Sequence, residues 1–365
     1  MKIKVLHVQL TENLGGIESL LINVYRKIDK QKFQFDFISN GYSDYQKELS
    51  DMGAKIYQMP SIKHIKRYIS TFNKILDNNY DVIHFHKNSA ANIIPLLIAK
   101  GHISHPKIIV HSHNSSPSIN KKSVLFFHHM NKPIINIVAD KKIACSKRAS
   151  MWMFNNYKKN VDIINNGINT SKFRFSSLAR EKIRQKYHID DQTLVIGNVG
   201  RFSKQKNHTF IIKIFKNILE ERPNAILFLI GTGKLENEVK KFTNKLNISQ
   251  HVYFLGNKKN VADYLSAMDI FIMPSLFEGL PIAAVEAQAS GVNVFVSKAI
   301  TKELFLTNII HSFSLKEDPK EIAREILYFK KPIDRQKEVE AIRKAGYDLS
   351  NTVTRFQSVY YQLIK

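Results

Sequence analysis

The densest run of residues able to do chemistry is PSLFEGLPIAAVEAQASG at 274–291, where two carboxylates, Glu278 and Glu286, stand eight positions apart. An apolar run, DIFIM, precedes them, and Pro281 suits a first helical turn, so the pattern predicts a helix with Glu286 two turns in. Glu278 then lies beside the backbone NH groups of Gly279 and Leu280, where a helix start can hold a phosphate, and the two carboxylates could flank that anion and grip sugar hydroxyls. The same spacing also allows Glu278 simply to cap the helix and Glu286 to be solvated.

A second candidate is NVGRFSKQKN at 198–207, in which a β-rich run ends at Gly200 and leaves Arg201 and Lys206 on a loop. Two fixed cations there could neutralise a diphosphate without a metal. In a chain with 55 Lys and Arg they could equally be ordinary surface charge. Two His-x-His pairs, His84/His86 and His111/His113, each place both rings on one face of a strand end. Four imidazoles could hold zinc, but no carboxylate or cysteine joins them at ligand spacing, so the expectation is substrate-binding or satisfied histidines and no metal. GTGKLE at 231–236 lacks the earlier glycine and the Ser/Thr of a phosphate loop and reads as a strand-to-helix turn.

These residues need strand ends to present them, and the chain supplies such ends in two series. IKVLHV, FQFDFI, DVIHFH, KIIVHS and KKIAC fall in the first half; TLVIGNVG, AILFLIG, HVYFLG, DIFIMP and VNVFVS fall in the second. Apolar runs alternating with amphipathic stretches predict parallel sheets covered by helices on both faces, hence an α/β fold of two doubly wound, Rossmann-like domains. Gly15 and Gly16 precede IESLLINVYRKI, whose Ile17, Leu20, Leu21, Val24 and Ile28 share a helical face, giving the strand, glycine turn and helix that open such a unit. NNGINTSKFRFSSLAR has no period and reads as a linker. The expected division is residues 1–170, residues 171–349, and a C-terminal amphipathic helix, 350–365, packing back on the first domain. Two such domains facing across a cleft would put both sets of strand ends on the walls of one site.

Length and composition fit this picture. The 365 residues, 44% hydrophobic, suit two globular cores. One cysteine, Cys145, excludes an internal disulfide framework and reads as a packed thiol at a strand end. No apolar run approaches the ~18 residues of a membrane span, and the apolar start is too short for a signal peptide, so a cytoplasmic location is expected. The net charge of +24 favours anionic partners. Residues 101–160 hold ten Lys/Arg against Asp140 alone, whereas 251–350 hold thirteen of each sign, so the basic excess belongs to the first half.

Taken together and in order, ENLGGIE, DVIHFH, HSHN, NNGIN, GRFSKQKN, LIGTGKLE and EGLPIAAVEA resemble the retaining GT-B glycosyltransferases of family 4, and within them the enzymes of capsular and exopolysaccharide synthesis. The likeness spans nearly the whole chain. It implies that Arg201 and Lys206 hold the donor diphosphate, Glu286 the ribose hydroxyls and Glu278 the donor sugar, with the NH groups of Gly279 and Leu280 helping at the phosphates. Gly15 and Gly16 match the loop that lets backbone approach phosphate and acceptor, His113 matches the histidine near the donor sugar, and the loop at Gly256-Asn257 is where the nucleobase sits. Asn293 replaces a usual proline and Lys298 a frequent Asp, departures that bear on donor selectivity. Asn114 likewise follows His113 where many relatives carry Asp.

The implied reaction moves a hexose from a nucleotide diphosphate sugar, a UDP-hexose, to a lipid-linked saccharide with retention, needing neither cofactor nor metal. A UDP-sugar 2-epimerase of the same fold is the alternative enzyme. A basic nucleic-acid binder is the alternative from another class, and no RNA- or DNA-binding signature supports it. The expected partners are therefore the donor, the acceptor and an anionic membrane surface, with no nucleic acid. Peripheral attachment to the inner face of the membrane is expected through SINKKSVLFFHHMNK at 118–132, with Lys121, Lys122 and Lys132 beside Val124, Leu125, Phe126 and Phe127, and through SIKHIKRYISTFNK at 61–74.

Overall fold

The computed structural model describes residues 2–12, 15–114, 122–155, 160–329 and 334–365. The chain divides into two compact units, Met1–Gly167 with Leu349–Lys365, and Ile168–Asp348.

In the first unit, strands β1 (Ile3–Leu10), β2 (Phe33–Ser39), β3 (Ile56–Gln58), β4 (Val82–Lys87), β5 (Lys107–Ser112), β6 (Lys141–Ala144) and β7 (Val161–Ile163) form one parallel sheet in the order β3-β2-β1-β4-β5-β6-β7. Its central strands are buried along nearly their whole length, as sheets with helices on both faces require. Gly15 caps the helix Gly16–Lys27, which buries Leu20, Leu21, Val24 and Tyr25. The helix Leu349–Ile364 lies on the same side, sharing one core with them through Leu349, Val353, Phe356, Val359 and Tyr360. Burying a side chain of that size contributes roughly 1.5–3 kcal/mol, so this last helix is integral to the first unit.

The second unit repeats the plan. Strands β8 (Val195–Val199), β9 (Ile226–Ile230), β10 (Val252–Gly256), β11 (Ile270–Met273), β12 (Asn293–Ser297) and β13 (Ile310–Phe313) run in the order β10-β9-β8-β11-β12-β13, all parallel. In both sheets the winding reverses between two central strands, β1 with β4 and β8 with β11. The carboxyl edge at that reversal is where open α/β sheets bind ligands.

The sequence pattern does not reveal β3, β7 or β13, because IYQ, VDI and IHSF are short and each includes polar residues, with no continuous apolar run. The stretch read as a linker is structured. Asn169 caps the helix Thr170–Phe173 and Ser176 caps the helix Ser177–Lys186. The residues that look aperiodic are the caps and turns of two short helices.

Candidate active site

In the second unit the glycines at the strand ends bring backbones together. The Gly200 amide donates to Ile230 O at 2.9 Å and the Gly231 amide donates to Gly256 O at 2.9 Å, tying the ends of β8, β9 and β10. Gly231 has φ +132°, and a Cβ there would lie 2.3 Å from Gly200 O; one on Gly233 would lie 2.4 Å from Phe202 O. GTGKLE is thus the turn between β9 and the helix Glu236–Lys245, and its glycines press it against the loop that carries Arg201.

That loop is joined to the one after β11. Lys206 Nζ lies 2.7 Å from Glu278 Oε1, and both side chains are largely covered. The Gln205 side-chain amide donates to Phe277 O at 2.9 Å and to Glu278 Oε2 at 3.3 Å, while the Leu276 amide donates to Gln205 O at 2.8 Å. Glu278 therefore does not cap the helix: Pro281 occupies the cap of Ile282–Ala289, without a side-chain bond, and stands one place before the first helical turn. The amides of Gly279 and Leu280, both buried residues, make no hydrogen bond among the described residues. Arg201 is exposed and has no ion pair or side-chain hydrogen bond among them.

Glu286 is the fifth residue of its helix, just over one turn in rather than two. It is half-buried, and its carboxylate has no hydrogen-bond partner among the described residues. Desolvation by burial pushes its pKa up to about 8, opposed by Lys172 on the helix Thr170–Phe173. It is not the solvated surface carboxylate that spacing alone allows. Asn257 is exposed on the residue after β10. Asn293 opens β12, buried, and Lys298 follows its end, exposed and 3.4 Å from Glu317.

The first unit presents a different set of groups at the same sheet position. His84 and His86 on β4 and His111 and His113 at β5 share one face, and His7 on β1 joins them. The rings are linked: His7 Nδ1 to His86 Nε2 at 3.0 Å, His86 Nδ1 to His113 Nε2 at 2.9 Å, and His84 Nδ1 to the Tyr360 hydroxyl at 2.8 Å. Burial lowers all five pKa values, His7 and His113 to about 3, so the rings are neutral. His7, His84 and His86, and separately His86, His111 and His113, bring ring nitrogens within 4.8 Å of one another, a set able to gather on a cation. Among the described residues those nitrogens either bond each other and Tyr360 or have no hydrogen-bond partner.

Gly15 and Gly16 begin the first helix after β1, and Glu18 ties that turn down. Its carboxylate accepts from the Thr11 amide at 3.2 Å, the Thr11 hydroxyl at 2.8 Å and the Gly15 amide at 3.0 Å. Glu18, Gln205, His7 and Tyr360 are the structure's additions to the candidate set. Glu18 was findable, since an acid three residues after a helix cap is a capping-box signal. His7 and Tyr360 had none without the strand order.

On the outer helices of this unit, the helix Lys122–Val138 exposes Phe126 (63%), Phe127 (45%), Met130, Ile134 and Ile137 (82%). The helix Ile65–Leu76 exposes Ile65 and Ile69 next to Lys66 and Arg67. Lys132 corrects the expected basic face: it is buried, its pKa is lowered by desolvation, and its amine points to Met151 O at 3.5 Å. Lys121 lies outside the described residues. No helix among the described residues is long and apolar enough to cross a membrane.

Comparison with known proteins gives one answer across the chain. Residues 14–172 match the family described as Glycosyltransferase Family 4, and residues 179–347 match Glycosyl transferases group 1. The sequence is similar to EpsF of Bacillus subtilis (strain 168), a glycosyltransferase by its given name, at 30% identity over 98% of this chain and 96% of that one. It is 25% identical to the capsular polysaccharide biosynthesis glycosyltransferase CapH of Staphylococcus aureus over 98% of both. A UDP-Gal:alpha-D-GlcNAc-diphosphoundecaprenol alpha-1,3-galactosyltransferase of Escherichia coli is 24% identical over 86% of this chain and 84% of that one. Among solved structures, Anabaena Alr3699/HepE in complex with UDP superposes with a TM-score of 0.80 at 18% identity, covering 99% of this chain and 100% of that one.

Proposed function

The chain belongs to the family 4 glycosyltransferases, with the GT-B type of fold and a place among enzymes of polysaccharide synthesis, and from that premise we propose that it transfers a hexose from UDP-hexose to a lipid-linked saccharide with retention. The observation that carries the reading is the Lys206–Glu278 pair at the carboxyl edge where β8 and β11 meet, beside the unpartnered amides of Gly279 and Leu280. The UDP and UDP-glucose complexes of HepE support the donor, and the diphosphoundecaprenol acceptor named for the E. coli relative supports the lipid-linked acceptor.

In this reading the barrier lies in breaking the glycosidic C–O bond while charge grows on the leaving diphosphate. Arg201, Lys206 and the two amides hold that charge, and one such preorganised group is worth about 10²–10³ in rate. Glu278, already fixed by Lys206 and Gln205, orients the sugar. Glu286 takes the ribose hydroxyls with a carboxylate that has no hydrogen-bond partner among the described residues, and Asn257 borders the base. The turn at Gly15 and Gly16 admits acceptor and phosphate, and His113 stands by the donor sugar. The second unit is the donor domain and the first the acceptor domain. Two side-chain cations make a metal unnecessary, so EDTA leaves transfer unchanged. The exposed Phe126, Phe127 and basic neighbours attach the first unit peripherally to the inner face of an anionic membrane, with the protein cytoplasmic.

The test is transfer itself. Membranes carrying lipid-linked saccharide, incubated with the purified chain and radiolabelled nucleotide sugars, should take label into the lipid fraction from a UDP-hexose, with release of UDP and an anomeric configuration matching the donor. Isomerisation of the UDP-sugar without any labelled lipid would identify an epimerase instead.

A further inference from the structure

The histidine stack has a property that none of its pairs has alone. A neutral imidazole carries one N–H and one lone pair, so at each ring-to-ring contact one nitrogen donates and the other accepts. If His7 donates from Nδ1, His86 accepts on Nε2 and must hold its own proton on Nδ1, from which it donates to His113 Nε2; the proton of His113 is then on Nδ1 as well. Run the other way, every proton sits on Nε2. Any mixture sets two N–H groups or two lone pairs against each other at 2.9–3.0 Å.

We propose that His7, His86 and His113 form one tautomeric unit, all Nδ1-protonated or all Nε2-protonated, in which His7 and His86 are positioning residues that decide which nitrogen of His113 bears the proton. The proposal deepens the reading of His113 as the histidine beside the donor sugar and rests on it for its effect on rate. His7 acts only through its neighbours: it is fully buried, with its ring 4.3 Å from that of Phe35.

Burial lowers the pKa of each of the three rings and so favours the neutral form, one proton per ring. The chain has two open ends, His7 Nε2 and His113 Nδ1, both buried and without a hydrogen-bond partner among the described residues. A sugar hydroxyl that donates to His113 Nδ1 selects the all-Nε2 state, and one that accepts from it selects the all-Nδ1 state. His84 stands outside the unit, since its Nδ1 is engaged by Tyr360.

The test uses the full chain labelled with ¹⁵N-histidine. Ring-nitrogen shifts should place His7, His86 and His113 in the same tautomer, and a mixed set overturns the proposal without recourse to activity. His7→Leu should leave His113 a mixture of tautomers and lower kcat about 10- to 100-fold with little change in KM, as small misplacements of catalytic groups do. His7→Asn, which keeps a polar atom near the Nδ1 position, should restore most of the loss. His84→Leu should leave His7, His86 and His113 in one common tautomer. Stoichiometric zinc bound at these rings in the purified protein, or a His7→Leu variant with unchanged His113 shifts and kcat, would also overturn it. Should His113→Ala retain full transfer, the place of His113 beside the sugar fails, and with it the predicted rate effect, whereas the ring shifts still decide whether the tautomeric unit exists.

Discussion

The two sheets have the same strand order through their centres yet furnish the same edge in opposite ways. In the second unit the loops after β8 and β11 meet through charge: Lys206 against Glu278, with Gln205 bonding both the carboxylate and Phe277 O. In the first unit β1, β4 and β5 meet through uncharged imidazoles packed under Phe356 and Tyr360. Lys206 and Glu278 each face an opposite charge, whereas the imidazoles are packed against one another with no ion-pair partner among the described residues, and burial lowers their pKa values. The same sheet edge thus carries a charge pair in one unit and a hydrogen-bonded imidazole stack in the other, the difference set by the side chains that strands and loops bring there.

Breaking the charged side should produce the largest effect. Lys206→Ala and Arg201→Ala are each expected to lower kcat by about 10²–10³ with the fold intact by circular dichroism, since both lie on a strand-end loop and, in the proposed reaction, hold leaving-group charge. If either keeps near-normal kcat, the diphosphate assignment is wrong. Of the two, Lys206→Ala should also loosen Glu278, so its effect should not simply add to that of Glu278→Ala.

A smaller effect separates the two carboxylates. Glu278→Ala should lower turnover of the true donor while leaving UDP affinity within a few-fold, and Glu286→Ala should do the reverse, weakening UDP by about tenfold. Calorimetry with UDP measures both, and equal losses of UDP affinity would mean the roles are confused.

A pH experiment sharpens the contrast between burial with and without a partner. Glu286 is raised from 4.5 to about 8 by desolvation, so the folded state holds a proton that the unfolded state releases above 4.5. Its contribution is fully present below pH 4.5 and is lost as pH rises through 8. Glu286→Gln should therefore flatten the fall in Tm between pH 5 and 8, and an unchanged Tm profile would show that Glu286 does not titrate in that window. The five histidines work in the other sense: with values lowered by burial, they make stability fall as the medium becomes acidic enough to charge the unfolded rings.

The smallest expected effect concerns the outer face of the first unit. Flotation with phosphatidylglycerol vesicles should fall several-fold when Phe126 and Phe127 are both changed to Ser, and should weaken with salt. Equal binding to neutral vesicles would sink the electrostatic part of the account.

Much of this was legible before any coordinates. Alternating apolar runs determined the α/β class and the two series of strands, because a buried parallel strand must be continuously apolar and a covering helix amphipathic. Pro281, the glycines of GTGKLE and the position of Arg201 and Lys206 after a β-rich run marked strand-end loops, because turn and cap residues carry local rules. What only the tertiary structure decided is everything that depends on register and coverage. The pairing of Lys206 with Glu278 spans 72 positions in sequence and exists because β8 and β11 are neighbours. His7 meets His84 because β1 pairs in register with β4, and Tyr360 reaches the same rings because the last helix returns to the first unit. The raised pKa of Glu286 and the burial of Lys132 follow from packing alone, since a side chain's spacing states which face it shares but not whether another element covers that face.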